Sequence, residues 1–438
     1  MARLTRKRIK VTEQWAVEAW PQLVGREMTC EGGERLRLVY PGRVNGGVGP
    51  DFLDAVIVMD EAALVKGDVE VHVRSSDWYR HGHYQDPEYD RVIVHVVVEN
   101  DGESTTLRRD GGSIPVLSLS RGLSPVAGGH LPCSQTREHK SEESLKRLLE
   151  AAGEERFRNK AKSFRVELAR GEARQVLWKS VSRALGYSRN SRPFEELACR
   201  LPLKFLEKLE SHGGLLLEQA WLLGMAGLLP CQRSEGVFLG EQEAGHLERI
   251  WDSVGDGARA MSENDWHFGH IYPNNSPVRR VIAQSYVLQR YRTDGLLGGL
   301  LQLIRETPLV VGYRRLEDGL TVLGDGYWQE HRDFGRKTKR AALLGRSKAG
   351  EIAVNVLLPF GYAWGEASKE PELEEKAIQL YASYPRLAEN AITRHMVRQL
   401  CLEDMSDSTA RRQQGLIHIF RNYCREGNCS RCLVVNRG

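Results

Sequence analysis

Asp51, in Gly49-Pro50-Asp51-Phe52, and Glu70, in Gly67-Asp68-Val69-Glu70-Val71-His72-Val73, are carboxylates of the kind that hold a divalent cation, and His72 adds an imidazole beside them. Val69, Val71 and Val73 alternate with Asp68, Glu70, His72 and Arg74. An extended chain here turns its apolar side to a core and sets the four polar groups along the other side. Such a row is costly unless solvated or metal-bound, so it reads as a metal-binding comb. The alternatives are a solvated sheet face with a cross-strand ion pair, and for Asp51 a turn role, since aspartate satisfies backbone donors in glycine-rich turns.

Two further constellations suit metals. His81-Gly82-His83, with Asp86 three residues further on, has a spacing that can bind Zn²⁺ in a loop, at Zn–N distances of ~2.0 Å. The competing reading is a surface loop held by Trp78, Tyr84 and Tyr89. His95, inside an apolar run, reads as a hydrogen-bonded core histidine or as another ligand. At the other end, Cys424, Cys429 and Cys432 gather three of the 8 cysteines around a Gly427-Asn428 turn. They suit structural Zn²⁺ or an iron-sulfur cluster if His418 or a distant cysteine such as Cys133 completes the set. A metal-free cluster of reduced thiols is the alternative.

These side chains need a scaffold. The chain has 438 residues, enough for two or three domains, and 62 Lys+Arg against 58 Asp+Glu leave a net charge of +4. That charge is too mild to diagnose a nucleic-acid partner. The basic N-terminus lacks an apolar h-region, and the longest apolar run is interrupted by Glu218, Gln219 and glycines, so a cytoplasmic protein without a membrane span is expected. The scattered cysteines suggest reduced thiols and no disulfide framework.

An amphipathic helix over 11–24 precedes β-rich runs at 36–40, 53–59, 69–73, 92–98 and 114–119, which predicts an α/β domain over 1–130. From 131 to 438 the pattern is mainly helical. Ser141 is an N-cap candidate, and helices are expected at 173–185, 194–209, 215–228, 278–291, 372–384 and 409–423. Ser276 and Pro277 are suited to open the 278–291 helix. The run 352–358 fits a strand or a buried helix.

The order helix, strand, strand opening on Pro50-Asp51, strand with Glu70-Val71-His72, connection, strand resembles the core of PD-(D/E)xK nucleases. The resemblance covers about the first hundred residues and implies a mixed sheet, with Asp51 and Glu70 binding Mg²⁺ or Mn²⁺. His72 stands where that family has lysine; its imidazole, with an ordinary pKa of ~6.5, is mostly neutral at pH 7. Lys66 or Arg74 could supply the missing charge. Gly82 and Pro87 also break the helix expected before the last strand. More broadly, Gly49-Pro50-Asp51-Phe52, Glu70 to Trp78, His81-Gly82-His83 and the cysteine-rich end resemble a bacterial family known only as a domain of unknown function.

The resemblance implies a divalent-metal-dependent nuclease acting on DNA or RNA, with Asp68, Arg74, Asp77, His81 and His83 supporting Asp51, Glu70 and His72. Its rivals are a zinc hydrolase centred on His72, His81, His83 and Asp86, and a non-catalytic nucleic-acid-binding protein or scaffold. Arg156, Arg158, Lys160, Arg279, Arg280, Arg411 and Arg412 are candidate phosphate contacts; a solvated helix face interleaved with Glu154, Glu155 and Glu167 is the other reading. Trp266, His267, His270 and Tyr272 could stack on unpaired bases. Asp333-Phe334-Gly335 and Gly345 to Gly350 lack the companions that would make them kinase or phosphate-loop motifs.

Overall fold

The structure is a computed structural model that describes residues 12–60, 63–122, 133, 141–187, 189–234, 242–268, 275–402 and 408–436. His270 and Tyr272 lie outside the described residues. Two compact units divide the chain, one from 1–152, 389–406 and 414–438, the other from 153–388 and 407–413. The division expected at 130 thus falls instead inside the helix Glu142–Leu168, and the C-terminal segments return to the first unit.

The first unit opens with α1 (Glu13–Ala19), capped by the Thr12 hydroxyl, which accepts from the Trp15 N–H at 3.3 Å. Eight strands follow: β1 (Glu27–Thr29), β2 (Arg35–Tyr40), β3 (Arg43–Val44), β4 (Phe52–Met59), β5 (Ala63–Arg74), β6 (Val92–Glu99), β7 (Thr105–Leu107) and β8 (Ser113–Ser118). They form one mixed sheet in the order β1-β2-β4-β5-β6-β8-β7, with β3 paired to β4. β2, β4 and β5 run antiparallel in succession, whereas β5, β6 and β8 are parallel. The link from β5 to β6 is only the short α2 (Asp77–Arg80) and two 3-10 turns, His83–Gln85 and Pro87–Tyr89, as Gly82 and Pro87 foretell.

The predicted period-2 alternation decides which side of β5 meets which core. Val69 and Val71, with Val94 and Val96 of β6, pack beneath Ala16 and Trp20. On other strands Val39, Tyr40, Val56 and Val58 pack against Leu145, Leu149, Met396, Leu416 and Phe420. Glu70 and His95 are cross-strand partners, so both lie opposite the valine layer.

In the second unit, Trp178, Phe194, Leu223, Ile282, Leu300 and Phe360 belong to one helical core. Ala173–Leu185 forms as expected. The 194–209 and 215–228 patterns become Ser191–Arg200 and Leu203–Ala226, separated at Leu201 and Pro202 and bent at Gly214. Run 352–358 is buried helix, with a wide π turn at Ala353–Leu357. Pro277 opens its helix as expected, but the Ser276 hydroxyl makes no cap hydrogen bond. Gly214–Gln232 is apolar and long enough to cross a membrane by composition, and 67% of it is buried within the protein.

Candidate metal centre

β5 carries Glu70 and His72 side by side in register, and the turn after α2 brings His81 and His83 over them. His72 Nε2 lies 3.1 Å from His81 Nδ1 and 3.4 Å from Glu70 Oε1, and His83 Nε2 lies 3.4 Å from the same Oε1. One ligand atom from each of His72, His81 and His83 lies within 4.8 Å of the others. Tetrahedral zinc, with Zn–N bonds of ~2.0–2.1 Å, sets its ligand atoms ~3.3 Å apart, so the spacings in this cluster suit one small cation.

Second contacts orient the set. His72 Nδ1 is 2.9 Å from His95 Nε2, which leaves His72 Nε2 turned toward the cluster. Tyr89 stacks on His83 with ring centroids 3.8 Å apart, and Trp78 packs edge-on against His83 and tilted against His95. His83 Nε2 is buried without a hydrogen-bond partner, an orphan that a cation would satisfy.

Burial controls the protonation states. It pushes Glu70 up to about 9, with the Asp51 carboxylate adding to the rise. It pushes His72 down to about 2 and His83 down to about 4, the neighbouring imidazoles adding to both falls, and His95 down to about 3. These three rings are neutral at pH 7, the state in which imidazole ligates metal.

Asp51 stands beside this cluster without entering it. Its N–H donates to Glu70 Oε2 at 3.0 Å, and its Oδ2 accepts from the Val71 N–H at 3.0 Å. Burial raises it to about 6.

Several carboxylates expected as ligands or supporting residues have backbone duties instead. Asp68 Oδ1 accepts from the Asp54 N–H at 2.9 Å, Asp77 Oδ2 from the Arg74 N–H at 3.1 Å, and Asp86 Oδ1 from the Glu88 N–H at 2.9 Å. Asp77 also pairs with Arg80 at 2.7 Å. Arg74 is exposed, and Lys66 pairs with Glu426 at 2.8 Å, so neither supplies a buried charge beside Glu70.

A family model described as "Protein of unknown function (DUF2851)" matches residues 15–390. The chain belongs to this family. The matched span contains Asp51, Glu70, His72, His81, His83 and His95, and ends before Cys424, Cys429 and Cys432. No curated protein and no solved structure matches.

The candidate phosphate contacts differ in their surroundings. Arg279 and Arg280 are buried: Arg279 donates to the carbonyls of Trp328, His331 and Ala341, and Arg280 to the carbonyl of Leu343, Asn275 Oδ1 and the Tyr187 hydroxyl. A guanidinium used up on internal acceptors cannot follow a surface phosphate. Arg158 pairs with Glu154 at 2.8 Å and bonds the Tyr362 hydroxyl, Lys160 bonds Asn355, and Arg411 lies 4.0 Å from Glu154. Arg156 and Arg412 are half-buried and also engaged. Trp266 is buried, its indole N–H donating to the Ala226 carbonyl at 2.8 Å, and the His267 N–H is held by Asn190. Asp333 is a buried partner of Arg233 at 2.9 Å, a structural duty unrelated to a kinase motif.

His95, readable from sequence as a core histidine or a ligand, lies against His72. Its detectable signal is parity: it is the one polar residue within the apolar run 92–98, and pairing Glu70 with it in register puts it beside His72.

Proposed function

We propose that this protein is a divalent-metal-dependent nuclease whose cation is held by Glu70, His72, His81 and His83. The observation that carries the reading is the grouping of the three imidazoles, one ligand atom of each within 4.8 Å of the others, with Glu70 Oε1 3.4 Å from both His72 and His83. Substrate class rests on the resemblance to PD-(D/E)xK nucleases. In its support, α1, β2, β4, β5 and β6 follow one another in the order that resemblance implies, with Asp51 just before β4 and Glu70 inside β5. Three imidazoles with one carboxylate suit Zn²⁺ or Mn²⁺ better than Mg²⁺, which prefers oxygen.

Bound there with coordination beyond the four side chains, as Mn²⁺ or five-coordinate Zn²⁺ allows, such a cation would polarise a scissile phosphate and acidify a coordinated water. The protein's own groups do the rest. His95 holds the His72 ring in one orientation, Trp78 and Tyr89 wall off His83, and the Asp51 carboxylate stands ready to take a proton from water. A second reading, a zinc hydrolase of another ester or amide, draws support from the basic residues being paired or buried.

The test is a panel of single- and double-stranded DNA and RNA, with Mg²⁺, Mn²⁺ and Zn²⁺. Glu70→Ala should lower divalent-dependent cleavage on the order of a thousandfold while leaving the fold intact. His72→Lys should also abolish it, because a lysine at this buried position cannot replace an imidazole ligand; full activity would instead place His72 in the lysine role. Cleavage of a small ester but of no nucleic acid would favour the second reading. Salt-sensitive polyanion binding without any turnover would favour a non-catalytic protein.

A further inference from the structure

Away from Glu70, a second group of metal-binding side chains is brought together in the first unit. Cys133, Cys424, Cys429 and Cys432 all border one cavity of about 10 Å³, closed by Val39, Gln399, Tyr423 and Val435. None is in a disulfide, and Cys133, Cys424 and Cys432 are buried. The tail is folded to gather them: the Gly427 N–H donates to the Cys424 carbonyl at 3.1 Å with Gly427 at φ 64°, and the Cys432 N–H donates to the Cys429 carbonyl at 3.1 Å. A positive φ of this kind favours glycine.

Gln399 supplies an independent pointer. Its Nε2 lies 2.9 Å from Cys133 Sγ and 3.9 Å from Cys424 Sγ, so one buried amide serves two sulfurs, as donors around metal-bound thiolates do. His418 is not part of the group: its ring meets Asn422 Nδ2 at 3.0 and 3.1 Å and does not line the cavity. Burial, reinforced by the neighbouring cysteines, pushes Cys133 up to about 11 and Cys424 higher still, so without a cation these sulfurs are thiols.

We propose that Cys133, Cys424, Cys429 and Cys432 are the four ligands of a tetrathiolate centre, filled by one Zn²⁺, that clamps the C-terminal tail to the sheet. Four thiols lose four protons as the ion binds, giving four Zn–S bonds and no redox change. The clamp has a mechanical consequence near the candidate active site. Glu426 holds Lys66 at 2.8 Å and Gly427 lies against Leu64, so the tail lies along the strand that carries Glu70.

Cobalt separates this site from the histidine cluster, because only thiolates give sulfur-to-cobalt charge-transfer absorption. The full chain reconstituted with Co²⁺ should show that absorption. Cys133→Ser and Cys432→Ser should lose it together with one equivalent of zinc and melt at a lower temperature, while His83→Ala should keep it. If the serine variants do not fold, titrating the native protein with an organomercurial should release one zinc only after the exposed Cys199, Cys231 and Cys401 have reacted. Absence of the cobalt band, its undiminished survival in Cys133→Ser, or no zinc released once every thiol is blocked overturns the site. Iron with acid-labile sulfide in the purified protein overturns the single-zinc assignment.

Discussion

Glu70 occupies the position where a carboxylate ionises least readily in this protein's candidate site, with its pKa raised to about 9 by burial and by Asp51. In the metal-free protein it therefore keeps its proton at pH 7, and a cation must displace that proton. The imidazoles at His72 and His83, pushed down to about 2 and about 4, are already neutral and add no proton competition above pH 6. Affinity for Mn²⁺, which avoids the thiolates, should rise about tenfold per pH unit from 7 toward 9 and then level off. Competition with a chelating dye measures it, and Glu70→Gln should flatten the slope while weakening binding; an unchanged slope would remove Glu70 from the ligand set. At this scale residue types were informative and partners were not. Asp68, Asp77 and Asp86 carry the same carboxylate chemistry as Glu70, but each is spent on a backbone N–H, a choice set by loop conformations that leave no mark in composition.

Elements were legible wherever a single period dominated. β5 could be placed because valines alternate with polar residues, and the same parity put Glu70 and His72 together. The segment 352–358 carried no such information: it is apolar on nearly every side, and a buried helix and a buried strand then look alike. Pro202 divided a helical pattern that hydrophobic spacing alone would continue, because it has no N–H to give. The close pairing of β5 with β6 yields its own prediction. A Cβ on Gly67 would lie 2.3 Å from Ile93 Cγ2 and 2.5 Å from the Arg91 carbonyl, the acceptor for the Asp68 N–H at 2.8 Å. A neighbouring backbone cannot step aside as a side chain can, so Gly67→Ala should destabilise the protein by about 2–3 kcal/mol. A denaturant titration with an unchanged midpoint would show that the two strands have more slack than these distances allow.

The first unit owes its completeness to chain that returns more than two hundred residues later. Met396, Leu400, Leu416, Ile419 and Phe420 join Val39, Tyr40, Val56 and Val58 in one buried cluster, and Leu145 and Leu149 complete it from the helix that follows the sheet. Hydrophobic periodicity marks Val56 and Val58 as needing cover, yet it cannot say which distant segment provides it, and so the sequence suggests a boundary near 130 where the β-rich pattern ends. A fragment of residues 1–130 has α1 and all eight strands but none of that cover. Its exposed apolar surface on β2 and β4 would be contiguous, a condition that favours association over a unique fold. Expressed alone, the fragment should therefore be aggregated or melt without a cooperative transition, whereas the full chain should unfold cooperatively with ordered near-ultraviolet circular dichroism. A sharp transition in the soluble, monomeric fragment would mean that the sheet and α1 are self-sufficient. The returning segments would then be bound to a finished domain, and their cysteines would have to be explained by something other than completing its core.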